Sequence, residues 1–409
     1  MKLQIKGRIM IKPVKRLSRL LLNILLLFIL SMASVHAADG ISVPTTAKQA
    51  YITDFATGQV LLEKNARTPM KPASMAKIMT VYITFSRIAE GSLSLSDRFL
   101  ISKKSWKMGG SRSFLDVGSS VTLDELLHGI IIQSGNDAAV ALAEGISGTE
   151  ENFVAEMNNT AQQLGMTQTL FTNATGWPDP DLTTTAYDLN LLTTALIKDF
   201  PADDYPDLYP MFSKRSYTLN NIKQGNRNPL LYGKNASKNG VDGLKTGFTE
   251  ESGYGLVASS LRGSQRIIMV LNGMESKKER AAESRRLMDF IFREFKLYNF
   301  FAANEVVEQA EVWLGTKSHV SLVVEKPLQR VLSRIQRAKT VISINLSTPV
   351  PAPINKGQVV GHLNIEIDGG LDKRIQLVAG DDVAQLSALD RLYEALKYLI
   401  FGAHAEPAG

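Results

Sequence analysis

The chain of 409 residues contains no cysteine. That absence excludes a thiol nucleophile, a thiolate zinc site, an iron–sulfur cluster and any disulfide. Histidine is scarce, with five in the whole chain. His36 falls in the leader described below, and His319, His362 and His404 fall late in the chain, which leaves His128. That residue stands four positions after Asp124 on an expected helix and reads as structural or surface. There is no Gly-x-Ser-x-Gly elbow and no His-Glu-x-x-His. A histidine-based elbow hydrolase and a zinc hydrolase therefore both lack their sequence signatures.

Acid is missing from the first 37 residues, which carry seven basic side chains. Without them the chain has 39 basic against 40 acidic residues, so its overall charge of +6 is a property of the leader. The basic balance is no pointer to nucleic acid. Leu20–Leu30 is apolar except for Asn23, and Val35-His36-Ala37 precedes Ala38. Eleven residues at about 1.5 Å each do not cross a hydrocarbon core of about 30 Å. A basic stretch, a short apolar stretch and a small-residue site read as an export signal cleaved after Ala37, with an uncleaved anchor as the alternative. Met10 would give a more ordinary signal if it were the start.

Apolar residues make up 44% and charged residues 21%, an ordinary globular balance for two or three domains. Tyr51–Asp54 and Val60–Glu63 flank Ala56-Thr57-Gly58-Gln59 and predict a hairpin. Pro72 announces a helix over Ser74–Ile88. Thr122, with Glu125 three residues on, opens a second over Thr122–Gln133. Further helices are expected at Asp137–Glu144, Glu150–Leu164, Asp188–Ile197 and Lys277 to about Phe295. The proline- and aspartate-rich stretch Gly176–Asp181 is a loop, and Gly253–Leu261 and Arg266–Asn272 are neighbouring strands. The class is α+β with a mainly antiparallel sheet. From Glu308 to Val378 the texture is Val/Ile/Leu runs broken by Gly and Pro, with a hairpin signal at Asp368-Gly369-Gly370. This predicts a small all-β domain. Along Leu386–Phe401, Leu386, Leu389, Leu392, Tyr393, Leu396, Leu399 and Ile400 share one helical face, opposite Asp390, Arg391, Glu394 and Lys397. Such a helix lies in a membrane interface or packs on its own β-domain.

Three short patterns carry chemistry. In Ser74-Met75-Ala76-Lys77, positions i and i+3 share a helical face and set an amine beside a hydroxyl. A serine needs a base, and a lysine becomes one if burial or a neighbouring cation lowers its pKa. Ser134-Gly135-Asn136 offers a hydroxyl to relay a proton and an amide to hold a carbonyl, although alone it reads as a turn or cap. Lys245-Thr246-Gly247 offers a cation and a hydroxyl beside a close-approaching backbone, although alone it reads as a surface turn. Their occurrence together and in order is what makes them informative.

Together these motifs resemble the active-site set of penicillin-binding proteins and serine β-lactamases. The flanking words Lys71-Pro72-Ala73, Asp137-Ala138, Asp242-Gly243-Leu244 and Phe248-Thr249 narrow the resemblance to low-molecular-mass D-alanyl-D-alanine carboxypeptidases. Thr175-Gly176-Trp177-Pro178-Asp179-Pro180 is similar too, with Trp177 where Leu is commoner. The resemblance spans roughly residues 45–380 and extends to a β-rich second domain and an amphipathic anchor.

It implies a transpeptidase-like domain at 38–300, with an antiparallel sheet flanked by helices, a β-domain at 301–381 and an anchoring helix and tail at 382–409. It implies Ser74 as nucleophile, Lys77 as base and Ser134 as proton relay. Asn136 would orient the peptide, while Lys245 and Thr246, with Gly247 beside them, would bind its terminal carboxylate. Lys245 would also help keep Lys77 neutral, and backbone N–H groups of Ser74 and Phe248 would form the oxyanion hole. The expected partners are peptidoglycan pentapeptide, β-lactam antibiotics as covalent inhibitors, and a membrane surface through 386–401, with no metal or cofactor. The expected place of action is the periplasmic face of the cytoplasmic membrane. A class A β-lactamase would need a glutamate on the loop from Asn173 to Asp188, which has none. An endopeptidase acting on cross-links would use the same residues. A non-catalytic wall-binding scaffold would tolerate a broken motif, and none is broken.

Overall fold

The computed structural model describes residues 43–233 and 239–401. The expected export signal and cleavage site lie outside the described residues.

Strands β1 (Gln49–Asp54) and β2 (Val60–Lys64) form the expected hairpin. Its turn is set by Asp54, whose Oδ1 accepts from Thr57 N and Oγ1 at 2.9 and 2.8 Å. β3 (Val241–Thr249), β4 (Gly253–Arg262) and β5 (Gln265–Met274) complete a sheet of order β2-β1-β5-β4-β3, antiparallel throughout. Ile267 to Leu271 on the central strand is wholly buried. The two stretches expected to be neighbouring strands, Gly253–Leu261 and Arg266–Asn272, pair as β4 and β5.

Helix α1 (Lys77–Ala89) follows a 3-10 turn at Ala73–Ala76 that packs on β3. The helix expected from Ser74 thus begins three residues later. The next long helical stretch is also composite: α2 (Leu123–His128), opened by the Thr122/Glu125 capping box, widens into a π turn at Gly129–Gln133. Then come α3 (Asn136–Ser147), α4 (Glu150–Gln163), α5 (Ala186–Asp199) and α6 (Lys277–Glu294). Thr149, Thr185 and Ser276 cap α4, α5 and α6 by accepting an N–H three residues on. Helix α5 packs on β1 and β5, and α6 on β4 and β5. Phe85, Phe153 and Phe212 fill the core among the helices.

β6 (Phe295–Phe301) leaves α6 and pairs with β9 (Leu328–Ser333), beyond β7 (Val306–Trp313) and β8 (His319–Val323). With β10 (Thr340–Leu346), β11 (Val350–Pro351), β12 (Val359–Ile367) and β13 (Gly370–Ala379), a six-stranded sheet of order β10-β12-β13-β8-β7-β11 is built. Asp368 and Gly369 turn the β12–β13 hairpin with φ of 55° and 79°, the left-handed pair that a two-residue turn requires. This region is β except for α7 (Arg334–Ala338), a single capped turn that the strand pattern hid.

The chain beyond β13 stays stitched to the β-region: Ile354 bridges Val383, and Leu386 N donates to Leu314 O at 3.0 Å. Helix α8 (Ala388–Phe401) then presents its apolar face outward. Leu389 and Leu399 are 80% and 81% exposed, so the face is not packed on the β-region. Among the described residues no helix is long and apolar enough to cross a membrane.

Candidate active site

Ser74 sits in the 3-10 turn, after Pro72 at φ −70° and Ala73 at φ +47°. Three residues per turn bring i and i+3 into register, closer than an α-helix would. Lys77 Nζ lies 3.3 Å from Ser74 Oγ. The lysine is wholly buried and donates to Asn136 Oδ1 at 2.7 Å and to Thr175 O at 2.5 Å. Burial is the main reason its pKa falls to about 7, helped by the Arg227 cation and opposed by Asp137.

Ser134 closes the π turn in the left-handed region, φ 66° and ψ 33°. Gly135 N reaches back to Gly129 O at 2.9 Å, which forces the reversal. The Ser134 hydroxyl is buried and has no hydrogen-bond partner among the described residues. Two residues on, Asn136 opens α3 and donates its amide to Gly109 O at 2.8 Å. Asp137 is fully buried and accepts from Ser113 N at 2.7 Å, which ties the loop around residues 109–115 to the motif.

Lys245, Thr246 and Gly247 lie on β3, not on a surface turn. Gly247 is where the strand meets the Ser74 turn: a Cβ there would stand 2.9 Å from Pro72 O and 3.1 Å from Met75 Cγ. Lys245 is buried, with Nζ 3.2 Å from Thr246 O. Burial, then the charges of Lys77, Arg227 and Arg280, push it well below the ordinary lysine range. Arg227 is a cation that lowers the Lys77 pKa and that the motif reading did not include, and the Lys77 charge in turn lowers that of Lys245. Each of the two buried amines thus disfavours a proton on the other. Phe248 is half-exposed and stacks on Tyr254 with centroids 4.1 Å apart.

These residues converge on one cavity of about 560 Å³, whose lining includes Ser74, Ser134, Asn136, Thr246, Phe248 and Trp177. Gly247 lines it too, and Lys77 and Lys245 lie behind Ser74 and Thr246, so the eight expected site residues gather at one place. Arg227 also lines it, donating to Ser111 Oγ at 2.6 Å. Neither Arg227 nor Arg280 belongs to a recognisable spacing, so no sequence signal marked them. Thr175 and Gly176 were marked by the resemblance of the stretch Thr175–Pro180, without a role of their own. Gly176, at φ +74°, leaves no room for a Cβ, which would fall 1.8 Å from Ala73 O. His128 is structural: it stacks on Tyr217 at 4.2 Å, its Nδ1 lies 2.8 Å from Asp124 O, and burial lowers its pKa.

The model of the D-alanyl-D-alanine carboxypeptidase family, Peptidase_S11, matches residues 34–276, and that of the penicillin-binding protein 5 C-terminal domain matches 295–385. D-alanyl-D-alanine carboxypeptidase DacC of Escherichia coli is 34% identical, over 90% of this chain and 92% of its own. DacF of Bacillus subtilis is also 34% identical, over 82% and 86%. Penicillin binding protein 5 from Haemophilus influenzae superposes with a TM-score of 0.74 at 32% identity, covering 85% of this chain and 100% of that one. Penicillin-binding protein D2 from Listeria monocytogenes, solved in an ampicillin-bound form, gives 0.54 at 28%, covering 61% and 99%. A serine–lysine pair facing a second serine and a buried lysine strand, on a fold matched across both regions, places the chain in the D-alanyl-D-alanine carboxypeptidase family.

Proposed function

We propose that this chain is a penicillin-binding serine peptidase that removes the terminal D-alanine from peptidoglycan pentapeptide stems, with Ser74 as the acylated nucleophile. The observation that carries the roles is the buried Lys77 amine, 3.3 Å from Ser74 Oγ and with its pKa near 7. Lys77 takes the hydroxyl proton as Oγ bonds to the carbonyl carbon of the penultimate D-alanine. The oxyanion forms against the Ser74 and Phe248 N–H groups, a contribution typically of about 3 kcal/mol per donor. Collapse breaks the C–N bond, and Ser134 passes a proton to the departing amine. Water then hydrolyses the ester. Asn136 orients the peptide. Lys245 and Thr246 hold the terminal carboxylate, whose charge favours the protonated form of Lys245 that burial disfavours. Arg227, at the cavity wall, adds a second cation.

Glu250 is the one carboxylate among the described lining residues, on the turn after β3 rather than on the loop from Asn173 to Asp188. A β-lactam is therefore expected to acylate Ser74 and leave slowly. We further read residues 1–37 as an export signal and α8 as a helix lying on the outer face of the cytoplasmic membrane. The outward apolar face of α8 supports this.

Mass spectrometry after exposure to benzylpenicillin tests the nucleophile. A single penicilloyl adduct on the peptide containing Ser74, absent from Ser74→Ala, is expected. An adduct on another serine, or on the variant, would refute the assignment.

A further inference from the structure

The cleft carries aromatic surface that the acyl transfer does not use. Trp177 and Phe248 both line the cavity and remain 44% and 47% exposed. Neither side chain is loose. The Trp177 indole lies over Gly109 and Gly110, where a Cβ would come within 3.3 Å and 2.8 Å of its ring atoms. The two glycines form the notch that it occupies. Trp177 N donates to Asn173 Oδ1 at 2.9 Å, and its carbonyl accepts from Asn173 Nδ2 at 3.1 Å. The loop that bears it is fixed to the machinery on both sides. Thr175 O receives Lys77, Gly176 abuts Ala73 O, and Gly109 O receives Asn136. Phe248 is held by its stack on Tyr254.

A substrate carboxylate gains nothing from the electron-rich face of an aromatic ring. It has Lys245 and Arg227 to meet instead. The exposed aromatic faces, in the same cavity as Ser74, suit an apolar part of the donor. We propose that Trp177 and Phe248 form a fixed aromatic clamp that selects donors carrying a flat or apolar acyl substituent. The inference rests on the acyl-enzyme reading of Ser74.

The test compares two β-lactams that share a nucleus. Benzylpenicillin carries an aromatic acyl substituent and aminopenicillanic acid carries none. Second-order acylation rates are measured for the purified full chain and for Trp177→Ala, Trp177→Leu and Trp177→Phe, and the readout is the ratio of the two rates. The clamp predicts a ratio about tenfold lower in Trp177→Ala, an intermediate value in Trp177→Leu and most of the ratio kept in Trp177→Phe. If Trp177→Ala does not fold, Trp177→Leu against Trp177→Phe carries the comparison. A ratio unchanged across the variants, with both rates falling together, would overturn the clamp and leave the Ser74 chemistry standing. Failure of both reagents to acylate the unaltered protein would overturn the acyl-enzyme reading, and the clamp with it.

Discussion

Lys77 Nζ stands 3.3 Å from Ser74 Oγ, donating to it when protonated and free to take its proton when neutral. Nζ has three oxygen neighbours: Asn136 Oδ1 at 2.7 Å, Thr175 O at 2.5 Å and Ser74 Oγ at 3.3 Å. The carbonyl of Thr175 can only accept. The Asn136 oxygen is fixed as an acceptor, because its amide nitrogen is spent on Gly109 O. A neutral amine has two N–H groups and one lone pair, so the lone pair is left for the serine hydroxyl.

A pH profile follows from this arrangement. Lys77 is a base only when unprotonated, and burial with the Arg227 charge sets its pKa at about 7. The acylation rate of the free enzyme should rise with pH and level off above about pH 7. The Arg227 charge repels a proton on Lys77, so Arg227→Gln should move this rise to higher pH. Stopped-flow acylation across pH checks both. A flat profile, or a shift to lower pH in the variant, would contradict the role of the amine.

Ser134 separates a chemical cost from a conformational one. Ser134→Ala and Ser134→Gly both remove the hydroxyl and should lower peptide turnover about 10²–10³-fold. Only the alanine keeps a Cβ at φ 66°. The glycine variant should therefore be the more stable of the two by about 1 kcal/mol, read from urea midpoints. Equal activity to the unaltered protein would remove Ser134 from the reaction.

Gly247 and Gly176 set how closely β3 and the 173–178 loop approach the nucleophile turn. A methyl at Gly247 meets Pro72 O at 2.9 Å, so Gly247→Ala should slow acylation at least about tenfold while costing about 1–3 kcal/mol. Gly176→Ala adds a positive φ to a much harder clash and should be the less stable variant. Acylation rates and thermal unfolding compare the two. Unchanged kinetics in Gly247→Ala would mean that Ser74 does not depend on this contact.

The helices and the hairpins were legible because their periodicity and caps are local. Thr122 with Glu125, and Asp368 with Gly369, need no distant partner to define them. β3 was not read as a strand: Asp242, Gly243, Lys245 and Gly247 belong to types that strands disfavour, and only pairing with β4 imposes the extended backbone. The 3-10 start at Ala73 and the π turn before Ser134 are products of docking, on β3 and on the 109–115 loop. They are not products of local propensity. The three motifs were legible as chemistry, yet Arg227 was invisible because its effect on Lys77 exists only in space. The amphipathic face of α8 was plain in sequence, and the structure added that nothing in the described chain covers it.

Removing residues 388–409 should abolish co-flotation with lipid vesicles and leave peptide cleavage intact. The cut belongs after Ser387, because Val383 is buried and Leu386 is hydrogen-bonded to Leu314. Flotation of the shortened protein equal to that of the full chain would refute the role of α8.

The central claim is tested most directly by free D-alanine released from a diacyl-lysyl-D-alanyl-D-alanine peptide, with Ser74→Ala alongside. The account predicts stoichiometric release of one D-alanine per peptide, lost by at least about 10³-fold in the variant. A folded protein that labels with penicillin but releases no D-alanine, or a variant that releases it as fast, would contradict the account.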